Sequence, residues 1–272
     1  MSRPSFIERT SIGLVRVLSE SLASEKFARK TGFLQSLDPR VRVAGVFVLV
    51  VAAVWCRNVK VIAVLFLIAA GIAIASSLDL LSLAKRIWSV VLIFTGLIAL
   101  PALFITPGEA LWVVPWLRIS ITSQGLHSAL MLILRVETAA TLTATLVLCT
   151  PWTHVLKALR SVLLPAEIFT MLAMTHRYIF LLAETAKQMF ESRESRTVGR
   201  LSGPESRSMV GRTAGVLFSK TVELSQEVYL SMLARGFRGD VRLLNEFGLK
   251  PQDYAALLFF VATSVGAIWM GR

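Results

Sequence analysis

The stretch LDPRVRVAGVFVLVVAAVWC, Leu37–Cys56, decides the class of fold. It opens with a helix-start signal. The Asp38 carboxylate can cap the free backbone N–H groups of a first turn, and Pro39 sits at the first helical position, where a missing N–H is tolerated. From Val41 to Cys56 the chain is apolar, but this run is short against the roughly 20 residues a bilayer-crossing helix needs. Arg40, Arg42, Trp55 and Arg57 extend it, because such side chains reach along a helix end toward the membrane interface.

Four further apolar runs follow, Val61 to Ser77, Ile87 to Thr106, Leu126 to Thr150 and Tyr254 to Met270. The expected fold is therefore all-α, a polytopic integral membrane protein with about five transmembrane helices. Composition agrees, with 55% hydrophobic and 17% charged residues over 272 positions, where a soluble domain carries about a quarter charged. The net charge of +12 is what basic cytosolic segments supply. No basic-aromatic module accompanies it, so nucleic acid is not an expected partner.

With the N-terminus in the cytosol, only Arg57, Lys60, Arg118 and Arg272 of the 29 basic residues fall outside, and Arg135 lies within a span. Between the third and fourth spans, Trp112, Pro115 and Trp116 form a short external loop with the look of an interfacial aromatic anchor. Four segments result: residues 1–37, amphipathic and cytosolic; 38–150, with four spans; 151–250, cytosolic; and 251–272, the last span. In the first, Phe6, Ile7, Leu14, Val17, Leu18, Leu22 and Phe27 share one helical face, suited to the bilayer surface. That segment carries acidic residues and lacks an apolar stretch ending at a small-residue cleavage site, so no signal peptide is expected.

The segment 151–250 reads as helices. Met171, Met174, Tyr178, Leu181, Thr185 and Met189 recur at helical spacing within Ile168 to Arg196, and Leu217, Leu224 and Val228 within Met209 to Leu233. A Gly/Ser/Pro cluster from Thr197 to Ser206 separates them. Both helices end in arginine-rich tips. At the second, in SMLARGFRGD (Ser231–Asp240), Gly236 can supply a left-handed helix stop that leaves Arg235 at the tip. A guanidinium there relieves the negative end of the helix dipole and can bond a carboxylate with two parallel hydrogen bonds.

Other chemistry is sparse. Cys56 and Cys149 sit far apart in apolar runs, and His127, His154 and His176 have no His or Cys partner at helical spacing, so no metal site is expected. Gly211 to Lys220 lacks the spacing and the preceding strand of a P-loop. Arg135 and Glu137 are charges within a span, which points to a pairing or a contact with another subunit. A second reading is an integral-membrane enzyme working at the inner leaflet, with His176, Arg177 and Glu184 within about two helical turns.

Three stretches carry a resemblance: Gly32-Phe-Leu-Gln-Ser-Leu-Asp-Pro-Arg-Val-Arg42, Arg177-Tyr-Ile-Phe-Leu-Leu182 and Met232-Leu-Ala-Arg-Gly-Phe-Arg-Gly239. Together they resemble the transmembrane T component of energy-coupling factor transporters, most closely the cobalt/nickel branch of CbiQ-like proteins. The resemblance implies a non-catalytic scaffold in the bacterial cytoplasmic (inner) membrane. Its implied partners are two ABC-type ATPase subunits and a substrate-binding membrane subunit. No cofactor is implied in this chain, ATP and Mg being bound by the ATPases, and the cargo is cobalt or nickel. It further implies two long cytosolic coupling helices, each ending in a three-residue motif centred on arginine. Ala234-Arg235-Gly236 matches one. Ser195-Arg196-Thr197 fits the other, with Arg193 one turn earlier; Arg193 and Arg238 are secondary candidates.

Overall fold

A computed structural model describes residues 32–105, 110–114, 119–162, 165–196, 203–239, 248 and 250–272. The N-terminal amphipathic segment, the Pro115–Trp116 pair and Thr197 lie outside the described residues. In chain order the elements are α1 (Phe33–Ser36), α2 (Pro39–Trp55), α3 (Val59–Ala75), α4 (Leu80–Leu83) and, after a π-helical turn (Ala84–Trp88), α5 (Ser89–Ile105). There follow β1 (Ala110–Val114), β2 (Ile119–Thr122), α6 (Ser123–Cys149), α7 (Trp152–Val162), α8 (Ala166–Glu194), α9 (Gly203–Ala234) and α10 (Pro251–Met270). All five apolar runs are helical, so the architecture is all-α. Where an external loop with Trp112 is expected, β1 and β2 instead form an antiparallel two-stranded ribbon. By length and composition alone, α6 and α10 are each sufficient to cross a membrane. The helices α2, α3 and α5 have 17 residues each.

The chain divides into two compact units, one of 27–158 with 247–272 and one containing 159–246. In the first, α2 is entered as its sequence dictates, with Pro39 in the first turn and the Asp38 carboxylate accepting from the Arg40 N–H at 2.9 Å. Its core joins Leu34, Leu49, Leu65, Ile72, Leu142 and Phe260 from α1, α2, α3, α6 and α10. Close approach of α2 and α10 requires a glycine: a Cβ on Gly45 would meet the Phe260 ring at 2.2 Å.

In the second unit α8, of 29 residues, and α9, of 32, run antiparallel. Ala186 and Phe190 of α8 and Ser206 and Thr213 of α9 are buried. Farther along, α8 and α9 leave a groove of about 460 Å³ lined by Met174, Tyr178 and Leu182 opposite Leu224, Val228 and Met232. The helix α9 begins inside the Gly/Ser/Pro cluster read as a break, because Pro204 falls in its first turn, where no backbone donor is needed.

Candidate functional site

The Arg235 tip is built by its backbone. Ala234 is the last residue of α9, and Gly236 follows at φ +81. The Gly236 N–H donates to the Leu233 carbonyl at 2.9 Å and the Phe237 N–H to the Met232 carbonyl at 3.0 Å. This pair of bonds closes the helix through a left-handed residue, the stop that a glycine permits without steric cost. It leaves Arg235 and Arg238 exposed and turns the half-buried Phe237 back toward the chain. Nothing lies within 4 Å of where a Cβ on Gly236 would stand, so the glycine is required by conformation alone.

At its end, α8 stops differently. Ser195 stays right-handed at φ −61, its N–H donating to the Glu191 carbonyl at 3.0 Å, and its hydroxyl donates to the same oxygen at 3.0 Å. Arg196 is exposed and Arg193 half-buried. Both line one depression of about 450 Å³, with Met189, Ser192 and, from α9, Met209. The structure thus brings the two arginine alternatives of this tip into a single hollow, two methionines at its wall. Because α8 and α9 run antiparallel, that hollow and the Arg235 tip sit at opposite ends of α9, a helix of 32 residues and about 48 Å at about 1.5 Å per residue.

The three polar groups of the enzyme reading do not converge. His176 packs edge-on against Phe180, with ring centroids 5.2 Å apart, Arg177 lies over Tyr178, and Glu184 pairs with Lys187 at 3.6 Å. Each is engaged on its own helix.

Arg135 and Glu137 face the interior of their own unit. The half-buried Arg135 donates from Nη2 to the Cys56 carbonyl at 2.7 Å, so its charge sits against the C-terminal end of α2, where the helix dipole is negative. Glu137 is only 5% exposed, and neither carboxylate oxygen has a hydrogen-bond partner among the described residues. Beside it Trp88 Nε1, presented by the π-helical turn, donates to the Thr141 hydroxyl at 2.9 Å.

The sequence reading missed a cluster at the opposite end of this bundle. Arg42, expected to reach for the interface, is 5% exposed. Its guanidinium donates from Nε to the Leu37 carbonyl at 2.8 Å, from Nη2 to the Gln35 carbonyl at 2.7 Å, and from Nη1 to the Cys149 carbonyl at 3.2 Å. Helix ends leave such carbonyls without intrahelical donors, and a buried fork of donors satisfies several at once. The Asp38 N–H donates to Asp253 Oδ1 at 2.8 Å, while Asp253 Oδ2 accepts from the Lys250 N–H at 2.7 Å. Gln35 donates from Nε2 to the Ser76 carbonyl at 3.0 Å. A Cβ on Gly32 would meet the Ser76 backbone at 2.8 Å, which explains a glycine there. The ends of α2, α3, α6 and α10 are thereby joined within eleven residues of sequence, Gly32 to Arg42. A faint signal was present: a cation, an amide and a capping carboxylate in one short motif ahead of a span.

Two helices long and apolar enough to cross a membrane, further apolar helices of 17 residues, and a pair of long helices ending in arginines are the features of a helical membrane protein. The chain belongs to the CbiQ family of cobalt transport proteins, whose model matches residues 30–244. It is 32% identical over 259 residues to the uncharacterized protein MJ1571 of Methanocaldococcus jannaschii, covering 93% of this chain and 88% of that one. It is also 25% identical over 185 residues to the cobalt transport protein CbiQ of Rhodobacter capsulatus, covering 67% of this chain and 72% of the relative. The chain is accordingly a membrane component of a transport system.

Proposed function

We propose that this chain is the T component, the coupling subunit, of an energy-coupling factor importer for cobalt. It spans the bacterial inner membrane five times with its N-terminus in the cytosol. Two ABC-type ATPase subunits bind ATP and Mg and seat the two arginine tips, and a substrate-binding membrane subunit selects the ion. The observation that carries this reading is the placement of arginine at both ends of one long helix pair, with Arg235 held at its tip by a left-handed glycine stop. A helix transmits a push only if its end stays seated, and a planar guanidinium bonded to a groove carboxylate is a directional seat. Closure of the ATPases on ATP then displaces the two ends of a stiff lever, and the apolar helices relay that displacement to the substrate-binding subunit. The groove between α8 and α9 adds an apolar surface for a partner.

Co-purification in detergent tests the assembly: the tagged chain should carry with it two ATPase subunits and a small membrane protein. Purification of the chain alone from cells expressing its neighbours would refute the reading. Uptake of cobalt by the intact complex, with nickel as competitor, tests the cargo; uptake abolished by equimolar nickel but not driven for cobalt would reassign it.

A further inference from the structure

We propose that the Cys56 end of α2, the Gly271 end of α10 and the first turn of α3 together form a binding site for the headgroup of an anionic phospholipid. The site begins with the backbone. The Arg57 N–H donates to the Gly271 carbonyl at 2.9 Å, which sets residues 57 and 271 side by side. The Cys56 sulfur lies where a Cβ on Gly271 would stand, so a glycine is what lets the two helix ends come this close. Arg57 and Arg272 are brought together in this way. Lys60 follows in the first turn of α3, where the cap residue Asn58 accepts from the Lys60 N–H through Oδ1 at 3.1 Å. All three cations are exposed. Beside the same two helix ends stand two exposed indoles, Trp55 at 69% and Trp269 at 83%.

The positive charge of this corner is unanswered within the chain. Neither 39–78 nor 254–272 contains an acidic residue, and among the described residues none of the three cations has an ion pair. Glu137 of α6 is buried, with neither carboxylate oxygen bonded among the described residues. Helix dipoles account for part of the pattern, since Arg57 and Arg272 stand at the negative ends of α2 and α10. Lys60 is the exception. It stands at the positive end of α3, where a further cation is disfavoured, so its place calls for an anion from outside the chain. The indoles say at what depth that anion lies. A tryptophan exposed at the end of an apolar helix sits at headgroup level, and α10 is long enough to cross a membrane. The three cations are thereby level with lipid phosphates, which a guanidinium fork bonds through two parallel hydrogen bonds and an ammonium holds as a point charge. A zwitterionic headgroup brings its own cation into such a site, so the site selects a lipid of net negative charge.

The test uses the full chain in nanodiscs of phosphatidylcholine with a varied minority of phosphatidylglycerol. Bromine on the acyl chains of one lipid or the other quenches nearby tryptophan, and subtracting the signal of the Trp55→Phe, Trp269→Phe double variant isolates this corner. Quenching across mole fractions yields the association constant for phosphatidylglycerol relative to phosphatidylcholine, which should clearly favour the anionic lipid. Lys60→Gln should lower that preference about fivefold, the scale of one Lys or Arg near an anionic membrane surface. Lys60→Arg should keep it. Arg40→Gln removes an exposed cation from the opposite end of α2 and should leave the preference unchanged. Removal of all three cations, by Arg57→Gln, Lys60→Gln and Arg272→Gln, should abolish it; if that variant does not fold, Lys60→Gln decides alone. The preference should persist in excess inorganic phosphate, and its loss there would reassign the site to a free phosphate anion. Equal association of the two lipids with the wild type would overturn the inference and leave the corner to an acidic protein surface. An effect of Arg40→Gln as large as that of Lys60→Gln would also overturn it, as general charge attraction without a site.

Discussion

Gly236→Ala isolates the geometry of the Arg235 tip from its charge. The residue stands at φ +81 with no atom within 4 Å of an added Cβ, so alanine meets no neighbour and the whole effect is backbone strain. An L-residue in the left-handed region costs about 1–2 kcal/mol. The chain can escape that cost only by giving up the Gly236-to-Leu233 and Phe237-to-Met232 bonds, which unwinds the last turn and swings Arg235 away. Either route leaves the seated geometry less favourable by about 1–2 kcal/mol, which is about 5- to 30-fold in affinity for the ATPase subunits. The assay is titration of the detergent-solubilised chain with purified ATPase subunits, reading the Kd ratio to wild type. Gly215→Ala serves as the control. It lies in the interior of the same helix with equally open space, and alanine there should strengthen α9 by about 0.5–1 kcal/mol without weakening docking. Wild-type affinity for Gly236→Ala would show that the stop does not position Arg235, and the two-tip account would lose its structural basis.

Three other outcomes can be checked. Arg235→Ala and Arg196→Ala should each weaken ATPase association, by about 2–5 kcal/mol where the seat is desolvated, with Arg235→Lys restoring part; the double variant should release both ATPases on pull-down, and Arg193→Ala exceeding Arg196→Ala would move the first anchor back one turn. Gly45→Ala should lower the thermal stability of the purified chain by about 1–3 kcal/mol, the range for overpacking a closed core, because its Cβ would meet the fully buried Phe260 ring; an unchanged Tm would mean that α2 and α10 separate freely. Burial, then Lys157 and Arg42 nearby, holds the His154 imidazole below its ordinary value of 6.5. The unfolded chain therefore binds a proton that the folded chain refuses, and stability should fall as pH drops from about 6.5 toward the lower folded value. His154→Gln should flatten a Tm series measured from pH 8 to pH 5, and a slope identical to wild type would contradict this.

What could be read from sequence is what is local. Asp38 and Pro39 announce α2 because a cap and its target are two residues apart, and Gly236 announces the end of α9 because the bonds it closes span four or five residues. The apolar periodicity of α8 and α9 likewise located Met174, Tyr178, Leu224 and Val228 on the faces that line their groove. Arg42 was misread because its partners are distant: Cys149 lies 107 residues away, and Asp38 meets Asp253 across 215. An arginine at the start of a span ordinarily extends to the interface, and only the arrival of other helix ends converts the same residue into a buried donor. Arg135 was legible as an anomaly but not in its role. Counting along α6 puts it deep in an apolar run, whereas the structure sets it level with the last carbonyls of α2.

These two arginines also determine which helices can move together. Arg42 joins the beginning of α2 to residue 149 of α6, and Arg135 of α6 reaches residue 56 at the end of α2. The intervals 42 to 56 and 135 to 149 are equal, each about 21 Å of helix at about 1.5 Å per residue, so α2 and α6 are pinned at two matched depths and cannot slide past one another without breaking both. At the Cys56 end of α2, α10 is tied into the same frame, since the Arg57 N–H donates to the Gly271 carbonyl at 2.9 Å. Among the described residues, no such guanidinium or terminal main-chain tie reaches the helix with interrupted hydrogen bonding. Between Leu80 and Ile105 it widens through the π-helical turn, where the Ser89 N–H reaches back to Ala84, and it loses a donor at Pro101. A shift of α2 along its axis therefore carries α6 and α10 with it, and the place in the bundle suited to bend is the π-helical turn leading into α5, where Trp88 Nε1 donates to the Thr141 hydroxyl at 2.9 Å.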